Sequence, residues 1–276
     1  MSGKKVWFIT GSAGGFASVW TRAALERGDK VVAADRNFEA LQGLVETYGD
    51  AVLPLQLDVT DRDAVFRAMD EAHGHFGRLD VILNAAGYGL MAAVEEADVA
   101  EVRANFETNF FGTLSVIQAA IPILRAQGGG HILPVSSIGG VITFPIMGLY
   151  QATKFAVEGL AETLAIEVAE FGIKVTIIEP SAFATPFVSA STNIQTMPEY
   201  DGLRAGLYEV FTPEQFGNPA ATGNAILKVV DAEKPPLRLI LGTVPLPMFR
   251  KTYAERLATW EEWAAVSNAA QGQPVA

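Results

Sequence analysis

Tyr150 and Lys154 stand four residues apart, so on a helix their side chains share one face. Ser137 lies thirteen residues before Tyr150, just past the apolar run Ile132 to Val135. One site could gather a hydroxyl, a phenol and an ammonium, a trio suited to proton transfer at a carbonyl oxygen. A free tyrosine titrates near ~10, too high for a base at neutral pH. A nearby lysine ammonium favours the phenolate and should lower that value. Tyr150 could then give a proton to a developing alkoxide or take one from an alcohol, while Ser137 holds the same oxygen. The rival reading is a tyrosine that opens a helix beside a solvated lysine.

A second group sits near the N-terminus. Thr10-Gly11-Ser12-Ala13-Gly14-Gly15-Phe16-Ala17 follows the apolar run Val6 to Ile9 and precedes a helical pattern. Glycines there permit a tight turn and close backbone approach to a pyrophosphate, and the helix N-terminus offers free N–H groups. Asp35 follows Gly15 by twenty residues, at the end of the next apolar run. A carboxylate at that place suits the ribose hydroxyls of a dinucleotide. A solvated loop aspartate is the alternative.

These residues need a parallel sheet to position them. Strands are expected at Lys5–Thr10, Val31–Ala34, Val52–Leu57, Val81–Leu83, the run ending in Ser136-Ser137, Lys174–Ile178 and Leu237–Leu241. Helices are expected from Gly15 to about Arg27, Phe38–Tyr48, Thr60 to Phe76, Val99–Ala126, Tyr150–Phe171, Asn218–Ala232 and 249–266, the last amphipathic with Trp260 and Trp263. The alternation predicts an α/β fold: a doubly wound parallel sheet of about seven strands flanked by helices, with right-handed crossovers. The tail after Ser267 is expected to be mobile.

Composition narrows the function. The chain has 276 residues, 50% of them hydrophobic, with no linker-like segment, and is expected to form one domain. The net charge of −11 and the lack of a Lys/Arg block argue against nucleic acid and anionic membranes as partners. No cysteine is present and no carboxylate cluster has metal-ligand spacing, so no metal site is expected. His73 and His75 read as surface residues, and His131 as a β-edge filler. The N-terminal apolar run is too short for a signal peptide, which makes the cytoplasm the default compartment.

The chain resembles the short-chain dehydrogenase/reductase family over nearly its whole length. The glycine motif is matched by Thr10, Gly11 and Gly15, with Ala17 in place of the last glycine. Asp58-Val59 match the adenine-facing pair, Asn84-Ala85-Ala86-Gly87 the Asn-rich turn, and Pro180-Ser181-Ala182-Phe183-Ala184-Thr185 the Pro-Gly segment. Ala17, Ala85 and Ser181 depart from the family pattern, and each could weaken cofactor affinity. The segments NFFGTL, EPSAFAT and PPLRLILG look most like the 17β-hydroxysteroid and retinol dehydrogenase-like branch.

The resemblance implies an oxidoreductase that exchanges a hydride between NAD(H) and an alcohol or ketone. Tyr150 would be its acid/base, Lys154 its partner, Ser137 the orienting hydroxyl, and Asn109 a support for Lys154 and a relay water. Cofactor contacts would come from Gly11, Ser12, Gly15, Phe16, Asp35, Arg36, Asp58, Val59, Asn84, Ala85, Ala86, Tyr150, Lys154, Pro180, Ser181, Phe183 and Thr185. A substrate lid is expected over 183–216, with Phe183, Met197 and Tyr208 as lining. Tyr88, Leu90, Met91, Val141, Phe144, Ile146, Met147 and Leu149 would wall an apolar cleft for hydrophobic or aromatic substrates. Asp35 favours NAD and Arg36 NADP; NAD is expected. A homodimer or tetramer is expected. The rivals are an NADP-dependent carbonyl reductase and a non-catalytic NAD-binding regulator.

Overall fold

A computed structural model describes residues 4–187 and 194–273. β1 (Val6–Thr10), β2 (Lys30–Asp35), β3 (Val52–Gln56), β4 (Val81–Asn84), β5 (Gly130–Pro134) and β6 (Ile173–Val175) form a parallel sheet in the order β3-β2-β1-β4-β5-β6. The central strands are mostly apolar because helices cover both faces. Strand alternation sends Phe8, Val32, Ile82 and Ile132 to one face, where they pack with Val65 and Met69 of α3 (Arg62–Phe76), Leu124 of α5 (Thr113–Ala126) and Leu164 of α6 (Gly148–Glu167). Trp7, Ile9, Val31 and Leu83 go to the other face, with Trp20 of α1 (Gly15–Glu26), Leu44 of α2 (Gln42–Tyr48) and Ile226 of α8 (Gly223–Asp231).

The expected strand Lys174–Ile178 is broken at Thr176. Residues before the break pair with β5, and β7 (Ile177–Pro180) pairs instead with β8 (Arg238–Leu241). The backbone changes partners within two residues: Thr176 N donates to Ile132 O at 3.0 Å and Ile177 N to Leu237 O at 2.7 Å. Ser136 N bonds Ile178 O at 2.8 Å, which keeps β7 beside the residues that follow β5.

Three further expectations are corrected. His131 is no edge residue: β5 lies between β4 and β6, and His131 is buried with its Nε2 2.9 Å from Thr176 Oγ1. The last helix begins earlier, as α9 (Pro245–Glu262), and is followed by α10 (Ala264–Ala270), so Ser267 lies inside a helix. The long fourth helix is not uniform. It starts as α4 (Val99–Phe106) on a capping box between Asp98 and Glu101, turns π-helical over Glu107–Gly112, and continues as α5. Such π segments often mark functional positions, and this one carries Asn109.

Candidate active site

The C-terminal ends of β1, β2, β4 and β5 meet the N-termini of α1 and α6. Tyr150 lies in the first turn of α6 and is 4% exposed. The Phe187 ring meets it edge-on at 5.1 Å. Ser137 opens a short turn, and its Oγ accepts from Gly139 N at 3.1 Å. Lys154 follows one helical turn later, and its Nζ donates to Val135 O at 2.9 Å. The three predicted residues are therefore brought together.

Their electrostatics differ from the expectation in one respect. Burial pushes the Tyr150 phenol above its ordinary range, and a hydrogen bond with Ser137 offsets only part of this. The phenol is raised even with the Lys154 ammonium nearby: the Nζ is anchored on Val135 O and lies 5.8 Å from the ring centroid, so burial outweighs it. Burial also pushes Lys154 down to about 8, against the pull of the Glu158 carboxylate. The phenol is thus fully protonated at neutral pH, the state a proton donor requires.

Asn109 is fully buried. Its Oδ1 accepts from Tyr88 N, and its Nδ2 donates to Tyr88 O and Thr153 Oγ1, each at 3.0 Å. Its own carbonyl accepts from Thr113 Oγ1 at 2.9 Å. Asn109 therefore ties the turn after β4 to α6, at Thr153 beside Lys154.

On the nucleotide side, Gly11 has φ +74°, and a Cβ there would lie 3.1 Å from Ala86 N. This position needs glycine for both reasons. Thr10 Oγ1 accepts from Ala85 N and Ala86 N at 3.1 Å. It holds the turn for which Ala85 offers no side-chain amide. Asn84 is buried and donates to Thr113 O at 3.3 Å. Ser12 faces inward, with its hydroxyl on Ile9 O at 2.8 Å, so its side chain is a structural brace. The first bond of α1 runs from Ser18 N to Gly14 O, which leaves the N–H groups of Gly15, Phe16 and Ala17 at the open helix end. Asp35 is fixed by its neighbours: Ala13 N donates to Oδ2 at 3.0 Å and Asn37 N to Oδ1 at 2.9 Å. Arg36 is exposed. Asp58 accepts from Thr60, and Val59 is buried. A tight glycine turn, a free helix N-terminus and an anchored carboxylate fit a dinucleotide.

Ser181 N bonds Leu241 O at 3.0 Å beyond Pro180, and Thr185 N closes a tight turn on Phe183 O at 2.7 Å. Phe183 sets its ring edge against Phe16 at 5.1 Å, and Phe16 stacks on Trp20 at 5.2 Å. The expected lid lies partly outside the described residues, at 188–193, and the Tyr208 side chain is outside them too. Its described part includes α7 (Asp201–Val210). Ile146 and Met91 pack with Leu207, while Val141 and Ile142 pack with Phe249 of α9. Phe144 joins both groups and meets Phe211 at 5.1 Å. Ile146 has φ +65°, a left-handed conformation that is strained for a β-branched residue.

An additional contact closes this wall. The Glu96 side chain is fully buried and accepts from Ala93 N at 2.6 Å, from Met197 N at 2.7 Å and from the Arg204 guanidinium. Burial opposes ionisation, but these hydrogen bonds win and hold the carboxyl at about 2. Sequence reasoning placed Thr10 in the glycine motif without its role in the turn after β4, and it gave no role to Thr153, Glu96 or Arg204. Only Thr153 had a local signal, its place between Tyr150 and Lys154.

A short chain dehydrogenase model matches residues 5–195. The chain belongs to the short-chain dehydrogenase/reductase family. It is 40% identical over 268 residues to the oxidoreductase BOA17 of Botryotinia fuckeliana, covering 95% of this chain and 98% of that one. It is 35% identical over 254 residues to the 3-ketodihydrosphingosine reductase of Bacteroides thetaiotaomicron, covering 90% and 91%. A short-chain dehydrogenase structure from Streptomyces avermitilis superposes with a TM-score of 0.90 at 37% identity, covering 97% and 99%. The protein is an oxidoreductase that uses NAD(P) on alcohol and ketone groups of small molecules.

Proposed function

We propose that this protein interconverts bulky hydrophobic or aromatic ketones and alcohols with NAD(H). The buried, protonated Tyr150 phenol beside Ser137 and Lys154 carries the reading. The bound dinucleotide supplies the two-electron chemistry. Ser137 Oγ and the Tyr150 hydroxyl bind the substrate oxygen between them, and in reduction Tyr150 delivers its proton to that oxygen as negative charge develops there. Lys154 keeps a positive charge next to the phenol and supports the phenolate left behind. Asn109 fixes the turn after β4 and the Thr153 hydroxyl, so Lys154 is delivered in one geometry.

The preference for NAD rests on Asp35. Two backbone N–H groups pin its carboxylate at the end of β2, so the phosphate of NADP would meet a fixed negative charge. The exposed Arg36 is free to swing away. The substrate class rests on the apolar group of Met91, Phe144, Ile146, Leu207 and Phe211, beside which Glu96 and Arg204 balance each other as an ion pair. The similar 3-ketodihydrosphingosine reductase is named for a ketone substrate, which agrees with this direction. We also assign the whole chain to one catalytic unit with residues 183–216 as its lid, working as a homo-oligomer.

The test is a panel of aromatic and long-chain ketones against small charged keto acids, assayed with NADH and NADPH. Faster turnover of the apolar ketones with NADH is expected. A preference for charged keto acids would overturn the substrate class, and equal efficiency with NADPH the cofactor assignment. Tight NADH binding with no turnover of any substrate would make the protein a non-catalytic sensor.

A further inference from the structure

Beneath Lys154 lies a buried group of charges that neither the proton transfer nor the dinucleotide site uses. Glu158 is one turn further along α6, on the same face as Lys154, and both residues are 6% exposed. Gly140 lets them come close to the loop after β5: a Cβ there would overlap Ser136 Oγ and lie 3.1 Å from Glu158 Cγ and 3.2 Å from the Lys154 carbonyl carbon. From the far side, Arg238 of β8 reaches in. Its Nε lies 3.2 Å from Glu158 Oε2 and 3.3 Å from Glu179 Oε1 of β7, and its Nη2 is 2.9 Å from Glu162 Oε2 at the surface end. A line of alternating charge thus runs from the active-site lysine to solvent, through one helix and two strands.

We propose that Glu158 is a positioning residue for Lys154: its carboxylate, held by Arg238, keeps the buried lysine charged and anchored on Val135. The proposal rests on reading Tyr150 and Lys154 as the catalytic pair. An ammonium in this place has lost most of its hydration; the Val135 carbonyl returns one hydrogen bond but no charge, and a nearby carboxylate supplies the balancing charge. The titratable and charged groups facing Glu158 are Lys154 and Glu162 on its own helix, Glu179 on β7 and Arg238 on β8. Burial raises the Glu158 carboxyl, opposed by a hydrogen bond with Ser136 and by the Arg238 guanidinium, and it raises Glu179 as well. Burial, then repulsion from Glu158, push Glu179 up to about 8, so it holds its proton at neutral pH. Glu158 is the carboxyl that Arg238 holds at 3.2 Å, one helical turn from Lys154. Glu162 and the outer end of Arg238 reach water, so Lys154 charge is balanced from outside the substrate cleft.

The experiment compares Glu158→Gln and Glu158→Asp with the unmutated full-length protein. Lysine side-chain NMR follows the Lys154 titration, and the pH profile of ketone reduction is recorded beside it. In Glu158→Gln the Lys154 titration should move to lower pH by about one unit, and the alkaline limb of the rate profile should move with it. Glu158→Asp should recover most of the shift. An unchanged Lys154 titration in Glu158→Gln overturns the proposal. If Glu158→Gln does not fold, carboxyl NMR of the unmutated protein decides: Glu158 must be ionised throughout the range in which Lys154 titrates, and a carboxyl that stays protonated there overturns the idea. A shifted Lys154 in a protein that reduces no ketone would support Glu158 in this role and refute only the assigned reaction.

Discussion

Replacing Tyr150 with phenylalanine removes one oxygen and leaves the ring against Phe187. Ketone turnover should fall at least about 10²-fold, with NADH affinity, read by fluorescence titration, nearly unchanged. Activity within a few-fold of the unmutated enzyme would remove Tyr150 from its role. The charge on Lys154 sets a pH limit. Burial lowers it to about 8, so the ammonium is present below that pH and lost above it. The reductive rate should therefore decline as pH rises through about 8, and a rate that climbs there would contradict the ammonium requirement. Asp35→Ala should weaken NAD binding and improve NADP binding. The expected preference in the unmutated protein is about tenfold or more, at least ~1.4 kcal/mol, measured as a ratio of kcat/KM values. The reactive residues were legible in the sequence because Tyr150, Lys154 and the glycine turn keep fixed local spacings. The direction of the Tyr150 shift was not, because burial is set by Phe187 and the sheet, which spacing does not encode.

At the level of strands and helices, β5 carries its own acid sensitivity. His131 is buried in it, and burial, with smaller repulsion from Lys174 and Lys5, pushes the imidazole down to about 4. In the unfolded chain it titrates near 6.5, so the unfolded state binds the extra proton between those values. Stability should then fall as pH drops from about 6.5 to 4, by an order of ~3 kcal/mol for this group. Replacing His131 by glutamine should flatten that part of the urea-unfolding pH dependence; an unaltered slope would assign the acid sensitivity elsewhere. The contact of Glu96 with Met197 and Arg204 joins two segments 101 and 108 residues apart. In Glu96→Gln the backbone around Met197–Arg204 should exchange amide hydrogens faster, with KM for bulky ketones rising more than kcat falls. Unchanged exchange would show that the apolar packing of Leu207 and Phe211 alone holds this wall. Neither this pair nor the partner change at Thr176 has a signature in local pattern. Both depend on what a distant strand or loop presents, whereas β1 to β5 could be read directly because parallel strands buried on both faces are continuous apolar runs.

For the whole molecule, the C-terminal helices are the least integrated part. Phe249 packs against Ile138 and Val141, but Leu257, Trp260, Trp263 and Val266 are each more than half exposed. A helix is present where one was expected, but it is not amphipathic as expected: only Pro245 and Phe249 of α9 are buried. This distribution also divides the four tryptophans into two optical populations. Trp7 and Trp20 are 0% and 1% exposed, against 63% and 57% for Trp260 and Trp263. Acrylamide should quench the red-shifted emission of the outer pair and leave a blue-shifted remainder from the inner pair. Trp20 stacks on Phe16 at the mouth of the dinucleotide turn, so NADH should dim that remainder first. The outer pair becomes a ruler for self-association: shielding that grows with protein concentration would place the subunit contact on these helices, and constant quenching would direct the search to another face.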